Sequence, residues 1–235
     1  MELMRVAEIT KHYGEVAALT DVGFVAKRGE VLGLIGPNGS GKTTLLECLA
    51  GLRPADTGSV FWDGAPLPAG RRKAALFYMP DGITPFAEQS VGSVLSFFGA
   101  VYGRPAACLD EVIEALSLSP VLRKPVGNLS KGYRRRLLMV CGLLTPHPLL
   151  MMDEPFDGFD LHQTREMMGL LRHVTERGRT LLLAIHQLID AERMCDRFVL
   201  LAAGRVRGEG ALAALRNRAG LADDAGLEEV FLALT

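Results

Sequence analysis

The sequence predicts an α/β fold: a buried parallel sheet, with a small antiparallel sheet at its N-terminal end and a helical insertion part-way through. Four nearly continuous apolar runs, at 31–35, 75–79, 149–152 and 180–185, have the pattern of strands covered on both faces. Alternation at 5–10 and 22–26, with a third apolar piece at 59–62, marks strands that meet solvent on one side. Between the second and third apolar runs the spacing turns helical, at 91–98, 109–116 and 130–144, with Pro and Gly breaks between the segments. A chain of 235 residues is long enough to bury the core of one such domain.

Taken in order, the N-terminal sheet looks structural, and the chemistry begins after the first apolar run. Gly36-Pro37-Asn38-Gly39-Ser40-Gly41-Lys42-Thr43 fits G-x-x-x-x-G-K-[ST], between a predicted strand and an apolar helix opening at Thr44-Leu45-Leu46. The glycines let backbone N–H groups approach phosphate oxygens, and the helix N-terminus adds partial positive charge. A lysine there opposes the helix dipole by about 0.3–1 kcal/mol, so Lys42 makes sense beside an anion. Lys42 is expected to reach the β- and γ-phosphates of a nucleotide and Thr43 to ligate Mg2+. A chance glycine-rich turn is the competing reading; the flanking strand and helix tell against it.

Each later run also ends on a reactive side chain. The second leads to Asp81, the third to Asp153-Glu154 and the fourth to His186. Ligands of open parallel sheets bind at the carboxyl ends of the strands, so these positions point to one site. Neighbouring strand residues project to different sides. Asp153 suits Mg2+ coordination through water, and Glu154 suits polarising a water for in-line attack on a γ-phosphate. Alone, the acidic pair also reads as a loop cap, and a lone His186 more often as a structural histidine than as one that touches the γ-phosphate and holds the attacking water.

The chain closes with two short helices, near 210–218 and 227–234, around a Gly/Asp-rich turn. Cys48, Cys108, Cys141 and Cys195 are scattered without a C-x-x-C pair, which suits small buried hydrophobes in a reducing compartment. Charges at Glu2, Arg5 and Glu8 leave no apolar leader at the N-terminus. The most apolar stretch, 137–152, is broken by Thr145-Pro146-His147-Pro148 and falls short of the roughly 18–20 residues that span a bilayer. A cytoplasmic protein is expected. An aromatic fraction of 6% and a net charge of −1 give no sign of a nucleic-acid partner.

In this order the pieces resemble the ATP-binding cassette of ABC transporters, from about Val6 to Leu234. The family's distinguishing signature, usually L-S-G-G-Q, lies between the phosphate loop and the acidic pair; Leu129-Ser130-Lys131-Gly132-Tyr133 stands there, followed by Arg134-Arg135-Arg136. Physically it is another helix N-terminus, with Ser130 as N-cap, Gly132 allowing close approach and Lys131 where a helix favours an acid, so an anion is again implied. A basic, solvated helix end is the competing reading. Tyr13, in Lys11-His12-Tyr13-Gly14, is similar to the family's adenine-stacking aromatic, with simple packing as the alternative. Asp157-Gly158-Phe159-Asp160 resembles the loop that crosses the family's dimer interface, and Gly204-Arg205-Val206 the turn after its last core strand. The family usually carries Gln where this chain has Asp81, a side chain that can ligate Mg2+ or water but donates no hydrogen bond when ionised.

The resemblance implies a P-loop NTPase core of the RecA-like kind, with an N-terminal antiparallel β-subdomain and an inserted helical subdomain. Residues 1–85 and 148–208 are expected to form the core with its β-subdomain, 86–147 the helical signature subdomain and 209–235 the C-terminal helices. ATP and Mg2+ are the implied ligands. Tyr13, Gly36, Pro37, Asn38, Gly39, Ser40, Gly41, Lys42, Thr43 and Thr44 would hold the nucleotide, and Thr43, Asp153 and Asp81 the metal. Glu154, His186 and Lys42 would serve hydrolysis, while Ser130, Lys131 and Gly132 meet the ATP of a partner cassette. The implied partners are a second copy or a homologous cassette and separate transmembrane permease subunits, touching the segment 85–104, on the inner face of the cell membrane. Leu227-Glu228-Glu229-Val230-Phe231-Leu232 and the Ser-Lys-Gly signature resemble exporter cassettes more than importers. A regulatory cassette with weak hydrolysis and a non-transport ABC ATPase are the alternatives.

Overall fold

The computed structural model describes residues Met1–Thr235. The chain runs β1 (Glu2–Tyr13), β2 (Val16–Lys27), β3 (Val31–Ile35), α1 (Lys42–Ala50), β4 (Thr57–Trp62), β5 (Ala65–Pro66), α2 (Ala69–Arg72) and β6 (Leu76–Met79). Three helices follow: α3 (Val91–Val101), α4 (Ala106–Ala115) and α5 (Lys131–Leu144). Then come β7 (Leu149–Asp153), α6 (Leu161–Glu176), β8 (Thr180–Ile185), α7 (Leu188–Met194), β9 (Arg197–Ala202), β10 (Arg205–Gly210), α8 (Leu212–Ala219) and α9 (Leu227–Leu234).

The antiparallel sheet has the order β2-β1-β4-β5, and the larger one β10-β9-β3-β8-β7-β6. From β9 to β6 the larger sheet is parallel, and β10 is its antiparallel edge. Every residue of β3, β7 and β8 is buried: alternate side chains point to opposite faces, and both faces are covered, so these strands have no polar face. Val31, Ile35, Leu150, Met152, Leu181 and Leu183 point into one core with Met139, Leu171 and Met194 of the helices. Leu32, Leu34, Leu149, Met151 and Leu182 point the other way, against Ile9 and Leu19 of the small sheet and Leu45 and Leu49 of α1.

The structure extends the sequence expectations in three places. The four expected parallel strands are joined by a fifth, β9, beside β3. The β1–β2 hairpin reaches to Tyr13, because Lys11, His12 and Tyr13 keep pairing with Leu19, Ala17 and Val16 past the end of the apolar alternation. Helices α6 and α7 flank β8. Cys48, Cys141 and Cys195 are buried and unpaired, and no helix is long and apolar enough to cross a membrane. The adjacency β3-β8-β7-β6 sets Gly36, His186, Asp153-Glu154 and Asp81 along one edge of the sheet.

Candidate active site

At the end of β3 the chain turns through Gly39 and Gly41, both in the left-handed region at φ 80° and 105°. A Cβ on Gly41 would meet the Ala18 carbonyl oxygen at 2.7 Å, and one on Gly36 the Leu201 carbonyl oxygen at 2.2 Å. These positions accept no side chain. Gly39 has open space around it, so its backbone stands free at the cleft. Lys42 begins α1 and curls back under the loop, its Nζ donating to the carbonyls of Gly36 (2.7 Å) and Pro37 (3.3 Å). Burial pulls its pKa down, against the opposing pull of Glu154 and Asp153. The Ser40 hydroxyl is buried in the same loop without a partner.

Thr43 Oγ1 donates to Asp153 Oδ2 at 2.6 Å, joining the phosphate loop to the end of β7. Burial of the Asp153 carboxyl pushes its pKa up, while the Thr43 hydrogen bond acts the other way. Glu154 carries on the ladder through its N–H to the Ala184 carbonyl (2.9 Å) but adopts a left-handed φ of 49°. A non-glycine residue held there stores about 1–3 kcal/mol of strain. The turn brings Glu154 Oε2 within 2.6 Å of His186 Nδ1 and 3.4 Å of the His186 amide.

Asn38, Gly39, Gly41, Lys42, Thr43, Thr44, Asp81, Asp153 and Glu154 line one cleft of about 290 Å³. His186 joins it through Glu154. Tyr13 stands outside that lining, 43% exposed at the end of β1. Arg53 Cζ and Lys11 Nζ lie 5.6 and 5.8 Å from its ring centroid, within cation–π range. Asp56 ties down the neighbouring residues, accepting from Lys11 Nζ (2.8 Å) and the His12 amide (2.6 Å). Those bonds, Lys11 foremost, hold its carboxyl down to about 2.

Ser130, Lys131 and Gly132 line a separate concavity with Tyr133, Arg136, Gly158 and Gln163. Ser130 Oγ caps α5, accepting from the Tyr133 amide at 3.4 Å. A Cβ on Gly132 would come within 3.2 Å of the Gly158 carbonyl oxygen, so this glycine packs closely against a loop of its own chain. Lys131 pairs with Asp157 of its own chain at 2.5 Å, which keeps the Asp157 carboxyl below its usual range.

Asp81, expected as a metal ligand, lines the cleft and pairs with Arg135 at 2.5 Å. Sequence reasoning assigned no role to Arg135, Asp56 or Arg53. Nothing in the run Arg134-Arg135-Arg136 marks the middle one, and its partner lies 54 residues away.

The donor set fits a magnesium–nucleotide complex. Thr43 and Asp153 offer adjoining oxygens, the phosphate loop offers backbone N–H groups and a helix start, and Lys42 supplies the cation.

The chain is similar to known proteins in sequence and in fold. The family model described as ABC transporter matches residues 19–157. The Nod factor export ATP-binding protein I of Sinorhizobium fredii is 34% identical over 213 residues, covering 88% of this chain and 62% of that protein. An uncharacterized ABC transporter ATP-binding protein of Methanocaldococcus jannaschii is 31% identical over 206 residues, covering 86% and 75% of the two chains. Among solved structures, an ATP-binding subunit of an ABC transporter superposes with a TM-score of 0.89 at 31% identity, over 99% of both chains. An ABC transporter cassette in its ADP conformation shares the fold, with a TM-score of 0.79 at 24% identity over 99% of both chains. With the phosphate loop, the acidic strand end and the helical insertion all in the family's order, the chain belongs to the ABC transporter family.

Proposed function

We propose that this protein is the ATP-hydrolysing subunit of an ABC exporter, working as a dimer on separate permease chains. The observation that carries the proposal is the convergence of Lys42, Thr43, Asp153 and the Glu154–His186 pair on one strand edge. Lys42 and the loop amides bind the phosphates, and the buried Lys42 releases its present carbonyl partners to do so. Thr43 and Asp153 would hold Mg2+, which would supply neutralisation of the charge that develops on the reacting phosphates. Glu154 orients the attacking water and takes its proton, and His186 holds the Glu154 carboxylate through Oε2.

Export is supported by the similarity to the Sinorhizobium fredii relative, a Nod factor export ATP-binding protein. The permease contact falls on an exposed apolar patch of the helical insertion, where Phe86, Phe97 and Val101 are each about half exposed and the Phe86 and Phe97 rings lie 6.1 Å apart. A patch of this kind marks an interaction surface.

The test is magnesium-dependent ATP hydrolysis by the purified chain beside Lys42→Ala. The wild type is expected to hydrolyse ATP, and the variant to lose about 100-fold or more in rate, with weakened nucleotide binding, on removal of the phosphate-facing cation. Hydrolysis at equal rates in both proteins would sink the proposal. A wild type that binds ATP without turning it over would favour the regulatory-cassette alternative.

A further inference from the structure

Three carboxylates, Asp81, Asp153 and Glu154, face the cleft alongside one lysine, Lys42. A triphosphate is itself strongly anionic, so any ionised carboxylate left unneutralised there opposes its binding. Asp153 is hydrogen-bonded by Thr43 and Glu154 contacts His186. Asp81 has a partner of another kind. Arg135 Nη2 lies 2.5 Å from its Oδ1, while Arg135 Nη1 reaches the Asp153 carbonyl oxygen at 3.4 Å.

The two members of this pair have unlike surroundings. The Arg135 side chain is 3% exposed and that of Asp81 is 43% exposed, so the guanidinium sits behind the cleft wall and the carboxylate in front of it. Asp81 is its one ion-pair partner. A buried guanidinium deprived of its counter-ion is strongly unfavourable, whereas a half-exposed carboxylate remains solvated when its partner is removed. Asp81 Oδ1 is thereby committed to Arg135, and turning the whole carboxylate away would leave the guanidinium uncompensated. If Arg135 were removed, Asp81 would meet the phosphates as a bare charge.

We propose that Arg135 is a positioning residue of the nucleotide site, which neutralises Asp81 from behind and holds it as a counter-ion instead of a metal ligand. Arg135 also bonds the end of β7 and belongs to α5, whose first turn carries Lys131 and Gly132. The pair thus fastens the signature helix to the wall of the chain's own nucleotide cleft. This inference rests on the nucleotide reading above.

The two roles for Asp81 predict opposite results from the two single neutralisations. Equilibrium ATP binding, with and without Mg2+, and thermal melting without nucleotide are measured on the full-length wild type, Arg135→Gln, Asp81→Asn and the double variant. Arg135→Gln is expected to weaken ATP binding roughly tenfold, through one uncompensated carboxylate facing the phosphates. Asp81→Asn is expected to show the larger fall in melting temperature while binding ATP at least as tightly as the wild type. The double variant should recover on both counts, and Arg135→Lys, which keeps the charge, should bind ATP nearly as the wild type does. The proposal is overturned if Asp81→Asn weakens binding only when Mg2+ is present and Arg135→Gln does not weaken it, which is the behaviour of a metal ligand. It is also overturned if the two single losses simply add in the double variant. Failure of the wild type to bind ATP at all would instead overturn the nucleotide reading itself.

Discussion

Asp153 and Glu154 are neighbours in sequence with contrasting surroundings. Asp153 is 2% exposed and hydrogen-bonded by the Thr43 hydroxyl, a position suited to holding a metal at the floor of a cleft. Glu154 leaves the strand in a left-handed turn and meets His186, a position suited to water. Strand periodicity anticipated that the two would diverge, but the turn at Glu154 and its contact with His186 are tertiary facts. A similar limit holds at Lys131. Its charge at a helix start was legible, yet its bond to Asp157 depends on how the loop after β7 folds back over α5. Lys131→Glu would set two carboxylates side by side at the surface that faces the proposed partner. It is expected to weaken ATP-driven dimerisation by about tenfold or more while monomer affinity for ATP stays within about twofold, since the pair lies outside the cleft and is exposed. Sedimentation and nucleotide titration of the same variant check both halves, and equal loss in both would remove the shared-site reading of the signature.

Among the elements, β3, β7 and β8 were legible because being covered on both sides erases their polar face. Strand β9 has the same apolar character over 198–202 but ends on the Ala203-Gly204 turn with no reactive side chain, so only the resemblance of Gly204-Arg205-Val206 to the family's turn pointed to a strand before it. Helix α6 was harder still. Its buried stripe is Thr164, Met167, Leu171 and Thr175, correctly spaced for a helix, but two of its four members are threonines, so the apolar period is faint. A buried charged junction between the two sheets was also out of reach. Arg197, at the start of β9, bonds both carboxylate oxygens of Glu30 (3.0 and 3.2 Å), Glu209 (2.6 Å) and the Val25 carbonyl (3.1 Å), joining the two sheets across 172 residues of sequence. Glu30 is 8% exposed, so Arg197→Ala strands a buried charge. A loss of about 3–5 kcal/mol in unfolding free energy is expected, measured by urea denaturation. ATP affinity should remain unchanged, because this junction lies at the strand ends opposite the cleft.

For the whole molecule, the decisive feature is that the cleft and the Ser130–Gly132 concavity are separate, with no lining residue in common. One chain does not bring its own signature to its own phosphate loop, although both are helix N-termini suited to an anion. Two chains arranged head to tail would place each signature over the other's nucleotide, with ATP as part of the interface. That is the central claim, and slowing hydrolysis should trap it. The most direct measurement is the oligomeric state of Glu154→Gln by analytical ultracentrifugation, with Mg2+ and saturating ATP or ADP, beside its hydrolysis rate. The account predicts a dimer with ATP, a monomer with ADP, and turnover lower by about 10²- to 10⁴-fold, the contribution of a positioned general base. A variant that stays monomeric with bound ATP while hydrolysing it at the wild-type rate would contradict it.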